Sequence, residues 1–228
     1  MNPKRVFTDK ELKEMGARTL DLVLEAIETG DKEKAKKLAR RMYEESKYLH
    51  DGYMVWISGL QSYIYKNCGT DALEEAEKEA HTIEANLVFK PPEKTDFRSL
   101  VEHQASKMRG HLQPLSIEED DEKVSLTMKP CGSGERIMQI GGYEAGLARV
   151  KGPHRITWGM QNFPVYCTHC PVGEILAIER TGDFSVVKVV TDPIGREGCH
   201  FTFFKDRAQI PDKHYTRIGK KKPLRAKG

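Results

Sequence analysis

A chain of 228 residues, 38% hydrophobic and 31% charged, has the composition of a globular protein with room for one large domain or two small ones. Its net charge of +3 is too small to argue for a nucleic-acid partner, and no apolar run approaches the roughly 20 residues of a membrane span. Met1-Asn2-Pro3-Lys4-Arg5 leads straight into a charged helix without an apolar signal core, so the expected compartment is the cytoplasm.

The first half reads as helices. Thr8 and Glu11 form a capping box, and Leu12, Met15, Leu22, Val23, Ala26 and Ile27 follow as one helical stripe to Gly30. Asp31 caps a second helix with Ala35, Leu38, Ala39, Met42 and Tyr43 on one face. His50-Asp51-Gly52 predicts a break, with Asp51 capping a third helix of Met54, Ile57, Leu60 and Ile64 that stops near Gly69. Trp56, Tyr63 and Tyr65 read as core and rim of this helical part. Thr70-Asp71 opens a fourth, acidic helix to about Ile83, Pro91-Pro92 ends it, and Thr95 or Asp96 caps a fifth with Phe97, Leu100, Val101 and Met108.

The period then changes from helical to alternating. Residues 123–129 place Val124, Leu126 and Met128 on one face and Ser125 and Thr127 on the other, a half-buried strand. Glycines punctuate residues 132–152 as loops. A helix starting near Cys167 or Pro171 carries Val172, Ile175, Leu176 and Ile178 to Gly182, and residues 184–190 and 199–204 form a terminal hairpin around Asp192-Pro193-Ile194-Gly195. The expected fold is α+β, an N-terminal helical bundle (1–113) packed on a small C-terminal α+β domain (122–210) with a cysteine metal site. Residues 114–122 read as a connection, and 211–228, with Lys213, Arg217, Lys220, Lys221, Lys222, Arg225 and Lys227, as a solvated basic tail.

Four of the five cysteines lie in the last hundred residues: Cys131, the Cys167-Thr168-His169-Cys170 pair, and Cys199. A Cys-x-x-Cys pair brings two thiolates to one metal ion, and cysteines from distant segments can close the shell. In a reducing compartment such a group reads as metal ligands. Pro171 behind the pair suits the first turn of a helix, whose N-terminal N–H groups favour thiolate. Zinc is the expected metal, with His169 or His200 as substitute ligands. An iron–sulfur cluster is the alternative, because Cys-Pro sequences occur around such clusters. Cys68 stands apart as a small, partly buried hydrophobe.

If the metal is catalytic, Glu135 is the candidate base, Arg136 the anion clamp and His169 a proton shuttle. The plainer alternative for Glu135 and Arg136 is a surface ion pair.

Residues 192–203, ending in Cys199-His200-Phe201-Thr202-Phe203, resemble the closing hairpin of vinyl-reductase-type and 2-amino-thiazoline-carboxylate-hydrolase-like domains. There a glycine-bearing turn leads into a Cys-x-Phe strand, with a cysteine-bearing helix upstream. The resemblance spans about residues 122–205; Cys131 and the helical N-terminus depart from it. It implies a small-ligand pocket or a hydrolase and does not choose between them.

Three functions follow as expectations. One is a zinc-dependent hydrolase or lyase acting on a small polar or anionic molecule. Another is a small-ligand-binding or regulatory protein with a closed four-cysteine zinc. The third is an iron–sulfur redox protein. A small molecule is the expected partner, neither membrane nor nucleic acid is, and self-association stays open.

Overall fold

Thr8 opens the first helix as its spacing to Glu11 requires: its hydroxyl accepts from Glu11 N at 3.2 Å while Glu11 accepts from Thr8 N at 2.7 Å. The computed structural model describes residues 6–88, 90, 96–184, 187–190 and 198–223. Helix α1 (Asp9–Gly16) ends before α2 (Thr19–Glu28), so the stripe expected as one helix is divided between two. In the unit Met1–His50, Ala26 and Leu38 are buried and Thr19 donates to Glu45 at 2.6 Å. Leu12, Met15, Leu20, Leu24 and Ile27 stay exposed.

Asp31 caps α3 (Lys32–Leu87) through Lys34 N at 3.0 Å. The helix runs through His50-Asp51-Gly52 without the expected break. One interior glycine costs about 1 kcal/mol, too little to stop a helix held by tertiary contacts, and Asp51 does not cap; it pairs with Arg136. The helical backbone breaks at Gly69, with φ 87° and ψ −176°, and resumes at Thr70. The chain from Asp51 to Gly228 is a second compact unit.

That unit holds a four-stranded antiparallel sheet in the order β1 (Leu115–Glu119), β2 (Lys123–Met128), β6 (Cys199–Phe204), β5 (Val187–Val190). β2 alternates as its sequence predicts, with Val124, Leu126 and Met128 buried. β1 takes residues expected to be a connection. Its acidic side chains are exposed on an edge strand, where charge is tolerated, and Asp120 turns the chain by accepting from Glu122 N and Lys123 N, both at 2.8 Å. The terminal hairpin forms as β5–β6, while its turn at 192–195 lies outside the described residues, as does most of the quoted resemblance before Gly198. Helix α4 (Phe97–Arg109), capped by Asp96 through Ser99 N at 3.0 Å, packs Ala105 and Met108 against Leu126, Met128, Phe201 and Phe203.

A second core gathers the loop-rich part. It joins Leu73 of α3, Val150 of β3 (Arg149–Val150), Phe163 of β4 (Phe163–Pro164), Val172 and Ile175 of α6 (His169–Thr181), and Phe184, Tyr215 and Ile218. Residues 212–223 are not all solvated tail. α7 (Asp212–Thr216) buries His214 and Tyr215, Ile218 is fully buried, and Tyr215 donates to Asp183 at 2.6 Å. Arg217 donates to buried Glu174 at 2.8 Å and stacks 4.6 Å from the Trp158 ring centroid. Tyr215 and Ile218, three apart, put one apolar face on a basic segment. Residues 224–228 lie outside the described residues. Among those described, no helix is long and apolar enough to cross a membrane.

Candidate metal centre

The four C-terminal cysteines come from three segments, and the fold brings those segments together. Met128 pairs with Cys199 across the β2–β6 ladder, so the loop leaving β2 delivers Cys131 beside the start of β6. Cys199 donates its thiol proton to Cys131. That bond and the backbone N–H groups of Ser133, Gly134 and Glu135 outweigh burial and pull the Cys131 pKa down to about 6. These amides open α5 (Gly134–Gln139), a short helix in a stretch that its glycines predict as loop. Its glycine permits a close approach: a Cβ on Gly134 would lie 2.8 Å from Cys167 Sγ.

Cys167 and Cys170 flank the start of α6. Burial pushes the Cys167 thiol up, and the neighbouring Cys131 and Cys170 push it further. The Cys199 thiol is raised by its hydrogen bond to Cys131, then by burial, then by the charge of the other three cysteines. All four predicted ligands are therefore electrostatic neighbours, and none of them is in a disulfide. Among the described residues, no three His, Cys, Asp or Glu side chains are already gathered into a group that could hold a metal ion. Cys68 is exposed and free.

Of the three candidates for chemistry, Glu135 and His169 lie at the cysteines and Arg136 is engaged elsewhere. Glu135 accepts from Cys131 N at 2.8 Å, so its carboxylate holds the loop that presents the thiolate. Arg136 is not on the surface. It is 5% exposed, pairs with Asp51 of α3 and donates to His111 O at 3.2 Å. His111 in turn bonds Ser133 Oγ through Nδ1 at 2.8 Å. His169 donates from Nδ1 to Tyr166 O at 2.5 Å, which leaves Nε2 to face Cys170 Sγ at 3.4 Å. His200 sits on β6 bonded to Thr127 Oγ1 at 2.9 Å.

A buried carboxylate next to the thiols was not visible in the sequence. Glu77 is 6% exposed and accepts from Gln61 Nε2 at 2.6 Å and Thr168 Oγ1 at 2.7 Å. Burial pushes its carboxyl up, opposed by His169, Thr168, His81 and Gln61. His81 reaches the same place, its Nε2 donating to His169 O at 2.9 Å. Gln61 Oε1 is buried without a hydrogen-bond partner. In the sequence Glu77 is one of several glutamates on an acidic helix. Only its neighbours Leu73 and Glu74, four and three residues back on the same face, hint that this side turns inward.

The four thiols lie close enough to act on one another's charge, and Glu77 lies within electrostatic reach of His169 and His81. No protein-family model, curated protein or solved structure matches the chain.

Proposed function

We propose that Cys131, Cys167, Cys170 and Cys199 hold one zinc ion as a closed tetrathiolate, and that the ion is structural in a small-ligand-binding or regulatory protein. The observation that carries this reading is the thiolate seat at Cys131, made by Cys199 and three amides, with Cys167 close enough to feel the charge of both Cys131 and Cys170. Thiolates are the form that binds zinc, and four of them saturate it. Glu135 and Arg136 also fit a structural role, since both hold the loop rather than face an open coordination position. The ion ties β6, the Cys131 loop and the start of α6 together, so its binding energy is folding energy.

Elemental analysis of the full chain, purified without chelator, should return one zinc per chain. Cys170→Ser should lower both metal content and melting temperature. A chain without zinc or iron, or a Cys170→Ser protein unchanged in both, removes the proposal. A brown sample with iron and acid-labile sulfide replaces it by the iron–sulfur reading.

A second reading is a zinc-dependent hydrolase or lyase acting on a small polar or anionic molecule. One observation favours it: the buried Glu77, with its carboxyl pushed up, beside His169 and Cys167. A carboxylate so tuned suits a general base. Under this reading Glu77→Gln slows hydrolysis of activated esters or lactams about 100-fold or more while zinc content stays. If the wild-type protein has no such activity, or the variant keeps it, the structural reading stands alone.

A further inference from the structure

We infer that the protein pairs with a second copy of itself through α3, antiparallel, about a two-fold axis between Ile57 and Ser58. Gly52, Trp56, Gly59 and Tyr63 recur at steps of four, three and four. At about 100° per residue, all four lie within roughly 60° of the helix circumference. The backbone through them is helical.

Along this face, projections alternate with notches. Trp56 is 63% and Tyr63 67% exposed, and Tyr53, at 55%, and Leu60, at 52%, flank them. These are large apolar side chains in water, although the sequence predicts Trp56 and Tyr63 as core and rim. The two glycines have no explanation within the chain: a Cβ on Gly52 or Gly59 would meet nothing within 4 Å. Both sit inside a helix, where glycine is the poorest residue after proline, and neither needs a positive φ. A surface that approaches closely from outside accounts for them.

The spacing also says what that surface is. An antiparallel copy about the proposed axis sets Trp56 opposite Gly59 of the second copy, and Tyr63 opposite its Gly52. Leu60 then meets Tyr53 of the second copy on the same flank, and Val55, 37% exposed, lines the opposite flank. Each projection finds a notch, and the symmetry satisfies every pair twice, as an isologous interface requires. A parallel pair in register would set ring against ring and glycine against glycine. Three exposed rings per copy, with Leu60 and Val55, offer about 1,000 Å² of removable surface at the 150–250 Å² a ring buries. That reaches the size of a specific interface. The inference is independent of the metal.

Sedimentation of the full chain at tens of micromolar tests it. The expected species is a dimer, and Trp56→Ala or Gly59→Leu should each weaken it roughly tenfold or more. The pair Gly52→Ala with Gly59→Ala separates this from a merely structural role. Alanine raises helix propensity and meets no atom of its own chain, so an unpartnered face gains stability without change of mass. A paired face loses dimer. For register, Tyr53→Cys with Leu60→Cys, which leaves Trp56 and both glycines in place, in a Cys68→Ser background should form an interchain disulfide with added oxidised dithiol. A monomeric wild type, or a dimer indifferent to all three substitutions, overturns the inference. A persisting dimer that does not cross-link overturns the antiparallel register.

Discussion

His214 illustrates how burial sets the behaviour of a single group. Its ring is buried in α7, its Nδ1 has no hydrogen-bond partner, and burial, then Arg217 and Lys213, pull its pKa down from 6.5 to about 4. A depressed histidine stays neutral in the folded chain while the unfolded chain takes up a proton. Its contribution is complete above pH 6.5 and is lost as pH falls towards 4, up to about 3 kcal/mol. Urea denaturation of wild type and His214→Gln across that window should show the variant with the flatter acid limb. Parallel limbs would mean that the histidine protonates as easily folded as unfolded. The cysteines obey the same logic in the other direction. Their identity as a group was legible because four thiols in one region are rare. The distinction between Cys131, drawn towards thiolate, and Cys167 and Cys199, held as thiols, was not. It depends on which sulfur receives the amides of α5.

Elements that follow from local periodicity formed where the sequence placed them: the Thr8 capping box, the Asp96 cap, the alternation of β2, the β5–β6 pairing. Those decided by distant partners did not. Asp51 beside Gly52 predicts a cap, because aspartate next to glycine commonly ends a helix; Arg136 of α5 supplies its partner and the helix continues. β1 carries charges that suggest a linker, yet β2 offers it a ladder from Leu115 to Glu119. Gly198 shows how strictly the sheet holds the approach to Cys199. Its φ is +83°, and a Cβ there would lie 2.4 Å from Met128 O. Backbone cannot yield as a flexible side chain would, so Gly198→Ala should destabilise by about 2 kcal/mol or more. Chemical denaturation measures this. Gly146→Ala is the control, since it also has positive φ, +113°, but meets nothing within 4 Å; it should cost less. Equal losses would assign the cost to φ alone.

At the scale of the whole molecule, the C-terminal segment is part of the second core. Ile218 is fully buried with Tyr215, and Lys220 bonds Glu179 at 2.9 Å. Ending the chain at Arg217 should therefore lower stability by about 2–5 kcal/mol, the range for deleting a buried aliphatic side chain. Ending it at Pro223 keeps every one of these contacts. A melting curve for each truncation decides: an unchanged midpoint after loss of Ile218 would return the segment to the solvated tail that its charge suggests. Leu73 plays the same part for α3. It is completely buried in that core, helped by the Glu74–Arg155 pair at 2.6 Å.

The features dictated by the residues alone are local or compositional. They comprise the helical first half, the strand alternation of the second, the mixed α+β class and the four cysteines, because periods of 3.6 and 2 and a thiol count need no knowledge of neighbours. Tertiary structure decided the rest. It turned Arg136 from a surface charge into the buried partner of Asp51, gave Glu135 to Cys131 N, carried Glu77 inward beside Cys167, and left Trp56 and Tyr63 in water. Each of these joins or separates residues tens of positions apart. No local pattern encodes such a pairing; only the packed chain, choosing which polar groups lose water and which partners repay them, does.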